Sequence, residues 1–259
     1  MKKIITLCIL VSILSVCLFV SCNRSDGLCY MSTIYNTDIK IEKRNLTPEL
    51  MTYFRLPEVY DSYRHSCTVE LNDDNVVLKK AEIPETAFVQ QFDYGYFLGV
   101  RLGEWDGWVK YYKYHTNLLD VEPVMVAKEQ CCGIILCSNT EGYVLTGPVN
   151  EGYGNIYKLY LPESKTEWEW SLVGTVDGFP CSYVYLAEEQ TLLIATTKEI
   201  VTVSSDNQIS TVIQSKYLDL LPTSILICKN QLWCGLHSGL LRIDMTTLEE
   251  TWYWLDWDN

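Results

Sequence analysis

Catalytic signatures are what this sequence lacks. Its 259 residues contain no G-x-S-x-G turn, no H-E-x-x-H pair and no glycine-rich phosphate loop. Histidine is scarce: His65, His115 and His237 are isolated from one another, and a lone histidine usually serves structure rather than chemistry. No C-x-x-C pair occurs, and Cys131-Cys132 with Cys137 lacks the spacing of a structural zinc knuckle. No metal or other cofactor is therefore expected. Asp73 and Asn75 mimic the start of a calcium loop, but Val76 and Val77 stand where glycine and further oxygen ligands are needed, so this segment reads as a turn. Basic residues are also in deficit, 20 Lys and Arg against 33 Asp and Glu, for a net charge of −13. Such a surface repels nucleic acid phosphates, which argues against a nucleic acid partner, and it favours basic partners or simple solubility.

Long apolar runs are absent beyond residue 20. The one that exists, residues 4–20, follows Lys2 and Lys3 and is shorter than the ~20 residues a membrane-spanning helix needs. It reads as an export signal. An ordinary cleaved signal wants a small residue where bulky Phe19 stands. Leu18-Phe19-Val20-Ser21-Cys22 instead resembles the lipobox of bacterial lipoproteins, with small Ser21 just before the cysteine and Phe19 replacing the usual Leu. Cys17 is a poorer candidate because Val16 precedes it. The resemblance implies that residues 1–21 are removed, that the Cys22 thiol takes a diacylglycerol, and that the protein is lipid-anchored to a membrane of the cell envelope. Polar residues 22–38 then form a tether, and residues 39–259 the domain.

That domain has a composition suited to strands. Apolar residues make up 48% of the chain, with 18 Tyr and 8 Trp, while helical periodicity is weak. Eight cysteines remain beyond Cys22: Cys29, Cys67, Cys131, Cys132, Cys137, Cys181, Cys228 and Cys234. Export permits disulfides. Cys137, Cys228 and Cys234 sit inside apolar runs, however, where a free cysteine behaves as a small buried hydrophobe.

Four segments share one plan of strand, polar turn, strand, turn and strand. Their first turns, at Asp93-Tyr94, Thr140-Glu141, Glu188-Glu189 and Lys229-Asn230, are spaced by 47, 48 and 41 residues. This period matches a four-stranded propeller blade. In the fourth segment, the stretch from Leu232-Trp233-Cys234-Gly235 through Gly239-Leu240 to Asp244 resembles the LWxGxxxGLxxxD repeat of bacterial sensor propellers. Gly99 matches its first glycine, whereas Thr146 and Thr196 lie near that place in the other segments. Such relatives use blades to bind ligands or partners, and the resemblance brings no catalytic residue.

Upstream, residues 67–78 read as a hairpin around Asn72-Asp73-Asp74-Asn75. Thr47-Pro48-Glu49 reads as the start of a short helix. The expected fold is all-β, a five-bladed propeller whose last blade is completed by a strand near residues 39–41; the alternative is a β-sandwich or open meander. Trp252-Tyr253-Trp254-Leu255 alternates as a closing strand with Trp252 and Tyr253 on opposite faces.

Gly103-Glu104-Trp105-Asp106-Gly107-Trp108 falls between two strands. A loop tip there offers an indole flanked by carboxylates, so Glu104, Trp105 and Asp106 are candidate binding residues for a sugar or a cationic protein surface. The structural alternative has Trp105 shielding the turn and Trp108 packing between blades. The expected function is a non-catalytic binding module for a protein or glycan, with an immunity protein against a basic toxin as a narrower version. An enzyme is not expected; the alternatives are a polysaccharide-acting hydrolase or lyase, or a structural component of an envelope assembly. Replacing Cys22 with Ser should abolish metabolic labelling with a radioactive fatty acid and leave the precursor uncleaved on a gel. Undiminished labelling would refute anchoring at Cys22.

Overall fold

The computed structural model describes residues 40–44, 67–72, 75–80, 87–102, 106–114, 122–148, 151–163, 165–214, 221–237 and 239–256. Cys22, the segment around Thr47, and Glu104 with Trp105 lie outside them. Among the described residues the chain is all-β, and its strands belong to one unit, Ile34–Asn259.

Five antiparallel sheets follow one another along the chain. The first is the expected hairpin of β2 (Cys67–Asn72) and β3 (Asn75–Lys80), with β1 (Lys40–Arg44) preceding it in sequence. The second contains β4 (Ala87–Phe92), β5 (Gly95–Leu102), β6 (Asp106–Lys113) and β7 (Val124–Ala127). The third contains β8 (Cys131–Ser138), β9 (Glu141–Thr146), β10 (Tyr153–Tyr160) and β11 (Glu169–Asp177). The fourth contains β12 (Pro180–Leu186), β13 (Thr191–Thr196), β14 (Glu199–Val203) and β15 (Ile209–Gln214). The fifth contains β16 (Pro222–Cys228), β17 (Gln231–Leu236), β18 (Gly239–Asp244) and β19 (Glu250–Asp256), and β1 pairs onto β19 as its outermost strand. This is a propeller with a blade count consistent with five, not two face-packed sheets. The N-terminal strand does complete the last blade, in the register Lys40↔Asp256 to Arg44↔Trp252.

Local turn chemistry sets the hairpins. Lys229 and Asn230 both have positive φ, 49° and 61°, as a two-residue hairpin loop requires. Asp244 Oδ1 accepts from the Thr246 and Thr247 amides at 2.8 and 3.0 Å and caps the next turn, while Oδ2 accepts from Gln231 Nε2 at 2.8 Å. Those bonds hold its carboxyl below the usual range.

The apolar residues are divided among the interfaces between blades. On β13, Leu192 and Ile194 pack towards the third blade with Tyr143, Leu145 and Phe179, whereas Leu193 and Ala195 pack towards the fifth with Leu232, Cys234 and Trp252. Both faces are buried, which explains why these strands read as continuous apolar runs rather than alternating ones. Trp252 and Tyr253 likewise separate: Trp252 faces the fourth blade and Tyr253 faces Cys67, Val69 and Leu78 of the first.

Blades approach most closely where a second strand carries a small residue. A Cβ on Gly99 would lie 2.2 Å from Cys131 Sγ, and one on Gly235 would lie 2.2 Å from the Cys67 carbonyl oxygen. The first contact joins the second and third blades, and the other joins the fifth to the first. That last junction is reinforced by Val69 N donating to Ser224 Oγ at 2.7 Å, Cys67 Sγ donating to Gly239 O at 3.2 Å, and Thr223 Oγ1 donating to Cys67 O. By strand pairing, Leu145 and Ala195 occupy the equivalent positions of the third and fourth blades, and Thr146 and Thr196 lie one residue further on.

Gly235→Ala should cost at least the ~1 to 3 kcal/mol typical of overpacking, because the obstruction is backbone. Urea unfolding of the variant measures this, and an unchanged midpoint would contradict the close approach.

Candidate functional site

In every described four-stranded blade the first strand begins at the rim where the second ends. Three blades carry the same irregularity there. Cys132, Cys181 and Thr223 are the extra residues of bulges near the start of β8, β12 and β16, each lying between paired neighbours that face consecutive residues of the partner strand. Bulges of this kind bend the strand and re-aim side chains next to a site.

Arg101 rises into this rim. Along β5, Gly95, Phe97, Gly99 and Arg101 share one face, and Phe97 packs with Cys131, Ile134 and Val144 of the third blade. Cys131 fills the space above Gly99, so the Arg101 side chain continues past it, and its guanidinium carbon lies 4.9 Å from the centre of the Phe179 ring. Phe179 stands between β11 and β12. A cation over an aromatic face at this distance is attractive. The Arg101 charge acts on Cys131 and Cys132 of the third blade, Cys181 of the fourth and His237 of the fifth. The guanidinium therefore stands where several blades converge.

His237, directly after β17, is mostly withdrawn from solvent. Burial first, and the Arg101 charge second, push its pKa below the ordinary 6.5, so the imidazole is neutral at physiological pH. The thiols nearby respond to burial in the opposite sense. Cys131 and Cys181 are pushed up to about 12 although Arg101 lowers both, and Cys67 reaches about 12. They are free, un-ionised thiols that act as small hydrophobes rather than nucleophiles.

Three acids of this rim, Glu129, Glu199 and Asp177, have structural partners. Glu129 accepts from Thr146 Oγ1 at 2.6 Å, and Asn155 Nδ2 reaches both its oxygens at 3.0 Å. Buried Glu199 accepts from the Asp177 amide and from Thr211 Oγ1, both at 2.9 Å. Asp177 pairs with Lys198 at 2.6 Å, and Lys198 also donates to Gly152 O at 3.2 Å. What the rim can do chemically rests on a neutral imidazole within the field of the Arg101 charge. No group of His, Cys, Asp and Glu suited to holding a metal ion occurs among the described residues.

Asp106 is the one described member of the expected binding loop. It opens β6, is exposed, and accepts from the Gly107 amide at 2.8 Å. Trp108 is half-buried in the same strand, with Lys110 Nζ 4.4 Å from its ring centre. Neither Arg101 nor Phe179 stood out in the sequence. Arg101 follows an ordinary apolar strand, and its role appears only when distant blades meet. In the sequence His237 reads as a lone structural histidine.

No protein-family model matches the sequence, and no curated protein matches it. Among solved structures, the chain is similar to a gluconolactonase from Xanthomonas campestris, with TM-score 0.38 and 11% identity over 73% of this chain and 64% of that one. It is similar to an engineered GH43 glycoside hydrolase, with TM-score 0.34 and 10% identity over 64% and 40% of the two chains. It is also similar to Trypanosoma rangeli sialidase, with TM-score 0.34 and 11% identity over 71% and 39%. The chain thus spans less than two thirds of each matched protein. These three neighbours are enzymes and stand against the expectation of a non-catalytic binding module, its immunity-protein version included, and the expectation that the chain is no enzyme; at TM-scores below 0.5 they assign no activity to this chain. The physical reason is that missing linear motifs do not exclude a site assembled from the ends of separate strands. At such low identities the likeness assigns no residue a role.

In the folded protein at pH 8, iodoacetamide should leave buried Cys67 and Cys131 nearly unmodified, while guanidinium unfolding should expose both to labelling, as read by mass spectrometry. Because these thiols and that of Cys181 ionise near 9 when unfolded and near 12 when folded, stability should also fall as pH rises above about 9. Rapid labelling of the native state would contradict their burial.

Proposed function

We propose that the chain is a hydrolase acting on a glycan, with its site on the rim that carries Arg101, Phe179 and His237. The observation that carries this reading is the convergence, from blades far apart in sequence, of the Arg101 guanidinium 4.9 Å from the Phe179 ring centre and of half-buried His237, whose pKa burial and the Arg101 charge lower. In this scheme His237 takes a proton from a water molecule as the water oxygen bonds to the electrophilic carbon of the substrate. The bond to the leaving oxygen then breaks, and the proton passes from the imidazole to that oxygen. A histidine that stays neutral at physiological pH is ready to accept a proton, and Arg101 helps to keep it so. Glu129 and Glu199, two acids of the rim, instead accept the hydrogen bonds that join strands.

The enzyme would work outside the cytoplasm, tethered through Cys22 and residues 22–38 to an envelope membrane. The sugar-derived substrates named for the structural neighbours are consistent with this reading, and the proposal rests on the rim itself.

The test is release of product from a panel of polysaccharides and sugar esters by the full-length chain in detergent. His237→Gln should lower kcat/KM by about 100-fold or more while leaving the unfolding midpoint nearly unchanged. For the unaltered chain, kcat/KM should hold level through neutral pH and fall only below the ordinary histidine pKa of 6.5, because the base must be unprotonated. Full activity in His237→Gln would refute the assignment.

A further inference from the structure

We propose that Arg101 is the specificity-determining residue of this rim and that it takes the carboxylate of an acidic sugar in a two-point hydrogen bond. The inference rests on the glycan-hydrolase reading above and adds the charge of the substrate.

Three observations converge on it. The first is the uncompensated charge. Among the described residues, the ion pairs are Lys79–Glu70, Lys113–Glu167, Lys158–Glu141, Lys165–Glu169 and Lys198–Asp177, and none involves Arg101. This occurs in a chain with 33 acidic residues. Glu129, on the same rim, directs its oxygens to Thr146 and Asn155 instead.

The second is position. A guanidinium held over an aromatic ring makes no hydrogen bond to it and keeps N–H donors for a ligand. Phe179 provides the ring at 4.9 Å and is itself only 2% exposed, a firm floor for a side chain that remains partly open to solvent. In-plane donors arranged as a fork match a planar carboxylate. A single guanidinium also balances a single negative charge, and Lys198, another cation of this rim, is engaged by Asp177 and Gly152. That fits a carboxylate better than a doubly charged phosphate.

The third is unspent polarity beside it. Gln130 is 1% exposed, and neither its amide nitrogen nor its amide oxygen has a hydrogen-bond partner among the described residues. Its Cα lies 2.6 Å from where a Cβ on Gly107 would stand, and Gly107 is the cross-strand partner of Arg101. A buried amide left unpaired is costly. The polar capacity on this side of the rim thus exceeds what the described chain uses.

The experiment titrates the full-length chain in detergent with D-glucuronate, its methyl ester, D-glucose and acetate, using calorimetry or ligand-observed NMR. Glucuronate should bind about tenfold to a hundredfold more tightly than its methyl ester or glucose, the range expected for charge-assisted hydrogen bonds. It should also bind more tightly than acetate, which has the charge without the ring. Arg101→Gln should erase the preference for glucuronate over its ester, and Arg101→Lys should keep only part of it because the fork is lost. The ester comparison needs no variant and so stands even if Arg101→Gln fails to fold. Equal binding of glucuronate and ester, an unchanged preference in Arg101→Gln, or acetate binding as tightly as glucuronate would overturn the inference. Glucuronate preference through Arg101 without turnover of any glycan would remove the hydrolase reading and leave the carboxylate site. Turnover of neutral glycans with no carboxylate preference would do the reverse.

Discussion

The close approach of one blade's first strand to the preceding blade's second strand is the constraint on which the rest of this protein depends. Gly99 admits the Cys131 side chain, and Gly235 admits the Cys67 backbone. At Gly133 the same need is met from the opposite side, where the ring of Tyr183 occupies the space a Cβ would take, at 2.1 Å. Sheets packed this closely need no central core. Each interface has its own apolar cluster, and a strand such as β13 contributes to the clusters on both sides. Close-packed interfaces of this kind are stiff, since interiors at crystal-like density transmit small displacements.

That stiffness bears on the rim. Arg101 sits two residues beyond Gly99 on the same face of β5, so its position over Phe179 follows from the packing of Cys131 against Gly99. The bulges at Cys132, Cys181 and Thr223 bend three first strands at equivalent places beneath it. The buried thiols form an un-ionised floor around the cation. In such surroundings electrostatic effects are larger than in water, which is why His237 responds to Arg101.

Much of the fold was legible. Turn pairs such as Lys229-Asn230 and the apolar runs on either side of them are local signals, and the spacing of the turns revealed a repeat before any sheet was known. The hairpin of β2 and β3 and the completion of the last blade by an N-terminal strand were legible for the same reason. The candidate site was not. Trp105 and its flanking acids drew attention because aromatic and charged residues crowd together in sequence, and of these Asp106 is seen to satisfy the neighbouring amide of Gly107. Arg101 has no such neighbours, and His237 looked solitary because its surroundings come from other blades.

By itself the sequence determined where strands begin and end, how many repeats follow one another, and which residues are apolar enough to be buried, since these depend on interactions between residues close along the chain. The tertiary structure alone decided which faces meet and which polar groups are brought together. Residues 101, 179 and 237 belong to three different stretches of chain, and only the packing of successive blades brings the Arg101 charge within reach of the Phe179 ring and the His237 imidazole. A site assembled in that way leaves no linear trace, because nothing in the local sequence of any one blade records what the others bring to the rim.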